Sequence, residues 1–267
     1  MKKRQSKILN GVVIERDERV VFCHINDFTD EIKDEIRLML NSIFHGSAEV
    51  KENSEIYNYK NTVINFVDRY KNHSEKTKKG MIGELLTHLL IPRCISNFES
   101  ISIFKNKEEK SIKKGFDIVY FDKNDLWYCE VKSGENKNIN SINQCNSNLL
   151  NKAKTQANTT TRSTRSTLWD SVLTDIHLTI FNSKKRKKVR ELLNNDHPSS
   201  SPRNLERNVV LTSVIFNKHE EKICIDKLKK YGEKVEDEKI FTGLLIFSIQ
   251  KSTYEKIEHF LIEESVK

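Results

Sequence analysis

Residues 115–135, GFDIVYFDKNDLWYCEVKSGE, decide how the chain folds. Two short apolar runs, 116–121 and 126–132, flank the polar connection Asp122-Lys123-Asn124-Asp125, which is the pattern of a β-hairpin. Each run carries charge among apolar neighbours: Asp117 near the start of the first, Glu130 and Lys132 at the end of the second. A turn centred on Lys123-Asn124 pairs residues whose numbers sum to 247 and sets Asp117 opposite Glu130. A turn centred on Asn124-Asp125 makes the sum 249 and sets Asp117 opposite Lys132. Strand side chains alternate with period two, so either register leaves Asp117, Glu130 and Lys132 on one face. Glu-x-Lys spacing occurs six times, at 31–33, 49–51, 108–110, 130–132, 135–137 and 220–222, and only Glu130-Val131-Lys132 ends an apolar strand, LWYCEVK.

Burying a carboxylate and an ammonium is costly unless they pair or bind a metal. Two carboxylates on one sheet face make a hard oxygen site suited to Mg²⁺, with Mn²⁺ able to substitute, and the backbone carbonyl of Val131 is a further candidate ligand. A neighbouring lysine orients an attacking water and offsets charge on a phosphate, the chemistry of phosphodiester hydrolysis. The competing account is a cross-strand Asp–Lys salt bridge at a sheet edge. A third carboxylate, Glu84 in KGMIGELL (79–86), borders the apolar stripe of a helix and is a candidate second ligand or orienter of a metal-bound water. Gly83 beside it suits close packing of helix on sheet. His88, one turn on, is expected as a packed residue rather than a catalyst. Lys113, Lys114 and Gly115 fit either a phosphate contact or an exposed basic turn. Lys152, Lys154 and Gln156 project from the helix expected after the hairpin, and of these Lys154 and Gln156 are the ones to test.

Outward from the hairpin, residues 11–25 read as a second hairpin with its turn in Glu15–Arg19. A helix follows, capped by Thr29 and stopped by Gly46, with Ile32, Ile36, Met39, Leu40 and Ile43 on one face. Residues 55–70 repeat the spacing with Tyr57, Val63, Ile64, Val67 and Tyr70, and the Lys-rich stretch 71–79 reads as a linker or an exposed connection. From Gly80, Met81, Ile82, Leu85, Leu86, Leu89 and Leu90 form a helix stripe that ends before Pro92. Strands are expected at 101–104, 209–216 and 243–249, and helices at 142–158 and 168–181. The block KKRKKVR (184–190) lies on a further helix, followed by the loop 196–204. Ser252, Thr253 and Glu255 cap a last helix carrying Tyr254, Ile257, Phe260 and Leu261 inward. This order predicts a mixed α/β fold, divided into a hairpin-plus-helices segment at 1–72 and a main domain at 73–267.

The chain has 267 residues, 31% charged and 36% hydrophobic, within the globular range. Eight Gly and three Pro argue against a loop-rich all-β protein. A net charge of +8 favours an anionic partner. Five cysteines (Cys23, Cys94, Cys129, Cys145, Cys224) without paired spacing predict reduced thiols in a cytoplasmic protein. No 18-residue apolar run or signal-peptide core occurs, so no membrane association is expected. There is no P-loop, so an ATP-driven step belongs to a partner. Trp127 and Trp169 are not interleaved with basic residues as a single-strand stacking platform requires.

The order GMIGELLTHLL, then KKGFDIVYFDKNDLWYCEVKSGE, resembles the PD-(D/E)xK nuclease superfamily. Within it the chain looks like the HamA family, the nuclease subunits of the bacterial Hachiman anti-phage defence system, over roughly residues 75–260. The resemblance implies a restriction-endonuclease-like core with an N-terminal α+β extension, and Glu84, Asp117, Glu130 and Lys132 as active-site residues. It also implies DNA as substrate and a complex with a superfamily 2 helicase, HamB. Residues 1–72 are a candidate docking surface for it on their position alone. The alternatives are a stand-alone restriction or repair endonuclease of the same fold and a catalytically silent DNA-binding assembly subunit.

Overall fold

A computed structural model describes residues 9–104, 115–136, 141–197, 207–217, 221–251 and 254–267. The chain opens with a hairpin, β1 (Val12–Asp17) and β2 (Val20–Ile25), whose turn places Glu18 at φ 33°. Helices α1 (Asp30–His45), α2 (Ser47–Glu52), α3 (Tyr59–Lys71) and α4 (Glu75–Cys94) follow. Then come β3 (Glu99–Ser100), β4 (Ile118–Phe121) and β5 (Leu126–Glu135). Helices α5 (Ile142–Thr161), α6 (Ser166–Thr179) and α7 (Ser183–Asp196) lead to β6 (Asn208–Phe216), α8 (Ile225–Asp237), β7 (Gly243–Lys251) and α9 (Tyr254–Val266).

The strands form one seven-stranded sheet in the order β1-β2-β7-β6-β5-β4-β3. Its centre, β2-β7-β6-β5, is parallel, and antiparallel pairs close both ends. The parallel strands β6 and β7 read as nearly continuous apolar runs because helices cover both faces. On one face α1, α3, α4 and α9 bury Ile36, Phe66, Leu85 and Ile257 against Val131, Val214 and Phe247. On the other, α5 and α8 pack on Leu211 and Ile246, while α6 and α7 pack Trp169 and Leu193 on Val119 and Tyr128. The fold is thus mixed α/β. Strands β1 and β2 extend the same sheet, and Val63 and Phe66 of α3 share a core cluster with Ile257 and Phe260 of α9.

Several elements differ from expectation. The stretch 71–79 is mostly helical: Ser74 Oγ accepts from the Thr77 amide, and α4 starts at Glu75. That helix also runs past Pro92 to Cys94, since a proline in the last turn forfeits only one helical bond. Only Glu99 and Ser100 pair as a strand before β4; Ile101 still donates to the Val119 carbonyl at 2.8 Å, and the chain then turns so that Phe104 packs against Phe44 and Phe66. Thr29 holds the N-cap position, but its hydroxyl donates to the Asn10 carbonyl instead of accepting from the helix. Gly46 ends α1 at φ 88°, and a Cβ there would meet the Leu178 carbonyl oxygen at 2.2 Å. Helix α8 was not expected, although Leu228, Tyr231 and Val235 recur at helical spacing. Ser252, Thr253, Lys113 and Lys114 lie outside the described residues, as does most of the 196–204 loop.

Candidate active site

The register of β4 on β5 pairs Ile118 with Cys129 and Val119 with Tyr128, a sum of 247. Lys123, at φ 65°, takes the left-handed turn position, which centres the connection on Lys123-Asn124. Carried one residue back, that register sets Asp117 opposite Glu130. Strand β4 has ended there, and the Asp117 side chain replaces the missing ladder bond, its Oδ2 accepting from the Val131 amide at 2.8 Å. The N–H and C=O of one strand residue point to the same side, so the Val131 carbonyl faces this same open edge. The end of β4 thus gathers a carboxylate and a backbone carbonyl.

Glu130 is 5% exposed and hydrogen-bonded to the Lys132 ammonium. Burial pushes its carboxyl up to about 8, the Asp117 carboxylate beside it adds to the rise, and Lys132 opposes it. One lysine therefore does not compensate the pair. A divalent cation would supply the missing positive charge, and the oxygen donors of Asp117, Glu130 and Val131 fit Mg²⁺ or Mn²⁺. Among the described residues, no group of three or more His, Cys, Asp and Glu side chains stands arranged for a metal.

Glu84 is half-buried on α4, which packs on the Cys129 and Val131 face of β5, whereas Glu130 and Lys132 have the opposite parity. Burial raises the Cys129 thiol, and after an opposing Thr212 hydrogen bond, Asp117, Glu130 and Glu84 all raise it further. The three carboxylates thus all act electrostatically on one buried thiol. Gly83 brings α4 close to the sheet, since a Cβ there would lie 1.9 Å from Ser133 Oγ. His88 is buried, pushed down to about 3 by burial, with Nδ1 3.3 Å from Ser100 Oγ, and so is a neutral packed residue. Lys154 is turned away and bonded to Glu238 at 2.6 Å, Gln156 bonds Thr160 at 3.1 Å, and Lys152 is exposed. Residue reasoning missed Ser213, Ser248 and Asn146, which lie on the Lys132 side; the signal available was a serine inside each of two apolar strands.

Fold and site together define a mixed α/β protein with a carboxylate–lysine centre where an antiparallel strand leaves a parallel sheet. The family model for HamA matches residues 6–265, nearly the whole length, and the chain belongs to the HamA family. That membership makes it a Hachiman-associated defence protein. No curated protein matches the chain. Among the described residues, no helix is long and apolar enough to cross a membrane.

Proposed function

We propose that the chain is a metal-dependent DNA endonuclease with a PD-(D/E)xK centre, the effector of a defence complex with the superfamily 2 helicase HamB. The observation that carries this reading is the Asp117 carboxylate bound to the Val131 amide, beside the buried Glu130–Lys132 pair. Asp117, Glu130 and the Val131 carbonyl would hold Mg²⁺; Glu84, on the α4 side of β5, would act as a ligand or water orienter only around the open edge where β4 ends. When bound, the ion supplies Lewis-acid polarisation of the scissile phosphate and eases deprotonation of water. The remaining work falls to the chain. Glu130 would serve as a ligand in its carboxylate form, its proton passing to solvent. Lys132, its side chain 30% exposed, then gives up Glu130 and donates to the attacking water or a phosphate oxygen, offsetting the developing charge.

For the helicase contact we favour residues 1–72. They supply two strands and much of one core layer, so surface substitutions test this contact and truncation does not. The nuclease reading is tested by plasmid cleavage in Mg²⁺ or Mn²⁺, with and without HamB. Metal-dependent cutting lost in Asp117→Ala and Lys132→Ala is the expected result, and dependence on HamB supports the defence complex. Cutting that persists in both variants, or that ignores EDTA, overturns the assignment.

A further inference from the structure

The face that carries Glu130 and Lys132 continues across the sheet as a polar row in an apolar layer. Lys132 is in register with Ser213 on β6, and Ser213 with Ser248 on β7. The parallel register stands these three side chains side by side, about 4.8 Å from strand to strand. Ser213 and Ser248 are fully buried, and Asn146 of α5, 2% exposed, lies over them. Asn146 Oδ1 accepts from Ser213 Oγ at 2.5 Å and from Ser248 Oγ at 3.3 Å, and the two hydroxyls are 2.8 Å apart. Their surroundings are Leu150, Leu211, Ile215 and Ile246. Three buried polar side chains cost desolvation that an apolar set of similar volume would avoid.

A hydroxyl has one proton and two lone pairs. With its proton given to Asn146, Ser213 has two lone pairs, of which Ser248 can take at most one, so a lone pair remains at the place in the row next to Lys132. We propose that Ser213, its hydroxyl oriented by Asn146 and Ser248, is a positioning residue that acts through Lys132. Glu130 holds the ammonium while it is free to do so. Once Glu130 engages a cation, the Ser213 oxygen accepts from the ammonium and keeps it aimed at the phosphate instead of at solvent. This inference rests on the nuclease reading, and its test separates the two.

Two measurements are made on the full chain, with HamB added if cutting needs it. Ser213→Ala should lower kcat about 10- to 100-fold with KM and melting temperature nearly unchanged, while Ser213→Thr, which keeps the hydroxyl, restores most of it. Asn146→Leu should match Ser213→Ala, and the double variant should be no worse than either. The second readout needs no cleavage: acylation of Lys132 by an amine-reactive reagent in Mg²⁺, followed by mass spectrometry with Lys154 as internal standard. Ser213→Ala should speed labelling of Lys132 several-fold relative to Lys154. An unchanged labelling rate overturns the proposal whether or not the wild type cuts DNA, and so does Ser213→Thr failing as badly as Ser213→Ala. Faster labelling in a wild type that never cuts sinks the nuclease reading and leaves the Ser213–Lys132 contact standing.

Discussion

Two lysines end apolar strands in much the same sequence context, Lys132 in LWYCEVK and Lys251 in GLLIFSIQK, and their surroundings differ in every respect that matters. Lys132 stands in the row Lys132–Ser213–Ser248, beside Glu130 and the Asp117 carboxylate, where β4 leaves the sheet open. Lys251 stands in the row Glu135–Phe216–Lys251 on the opposite face. It is fully buried, its ammonium has no hydrogen-bond partner among the described residues, and it lies 5.5 Å from the Phe216 ring centroid. The acid of its row, Glu135, is taken by Lys79 of α4. Burial pushes Lys251 well below the ordinary lysine range, opposed only by Glu255. A buried charge therefore argues for chemistry only where other reactive groups converge on it.

The largest expected effect divides the two rows. Asp117→Ala, Glu130→Gln and Lys132→Ala should each cost on the order of 10³-fold or more in plasmid cleavage while the chain stays folded. Lys251→Met should cut within about twofold of wild type, since it removes nothing from the proposed centre. If Lys251→Met is as dead as Lys132→Ala in a folded protein, the comparison is wrong and the reacting groups extend to the second row.

The next effect is a pH dependence. Glu130 sits at about 8 in the fold against 4.5 for a free side chain, so the folded state holds its proton more tightly. Stability from this group is complete below about 4.5 and lost as pH rises through 8. In metal-free protein the loss should be on the order of 3 kcal/mol, discounted for coupling to Asp117. Urea unfolding in EDTA at several pH values checks it as the difference between wild type and Glu130→Gln, which cancels the opposite slope that buried His88 contributes at acid pH. A pH-independent difference would mean that Glu130 is not the buried, proton-holding carboxyl described above.

The same contrast explains how much of the molecule was legible from its residues. The hairpin and the common face of Glu130 and Lys132 followed from strand alternation alone, whereas Asp117 lies just before β4 and binds the Val131 amide. The choice between registers did not follow, because it turned on Lys123 accepting a left-handed conformation, which its residue type does not signal. Ser213, Ser248 and Asn146 were invisible for a different reason. Their meaning arises from pairing among β5, β6 and β7 over more than a hundred residues, and a serine within VVLTSVIF is unremarkable until its neighbours are known. Helix α8 was legible but unread: Leu228, Tyr231 and Val235 recur at helical spacing among Lys227, Lys229, Lys230, Glu233 and Lys234. Lys154 and Gln156 were singled out by the resemblance, whose helix after the hairpin borders the site, although Glu238 holds Lys154 and Thr160 holds Gln156.

Gly83→Ala sharpens the side of the comparison that faces α4. The added methyl would sit 1.9 Å from Ser133 Oγ, 3.1 Å from Ser133 Cβ and 3.3 Å from Val214 Cβ, so helix and sheet must separate or the serine must turn. A loss of about 1–3 kcal/mol in urea unfolding is expected from the overpacking. Because Glu84 follows directly, cleavage should also need more Mg²⁺ for half-maximal rate. A destabilised variant with unaltered Mg²⁺ dependence would remove Glu84 from the proposed ligand set and leave Gly83 a packing residue.

The smallest effect should have the opposite sign. Replacing the Lys251 side chain by methionine keeps a long flexible chain against Phe216 and removes an ammonium that burial disfavours, so Lys251→Met should gain about 1 kcal/mol or more in stability at neutral pH. The sign follows from linkage. The group's folded value lies below the unfolded 10.5, so the wild type is penalised wherever the unfolded chain holds a proton that the fold rejects. The gain should therefore shrink as pH is raised toward 10.5, where the unfolded lysine also loses its proton. Unfolding curves for both proteins at pH 7 and at pH near 10 measure this directly. If Lys251→Met is instead destabilised at pH 7, the ammonium is satisfied in solution, and the second row holds a paired charge as the first does.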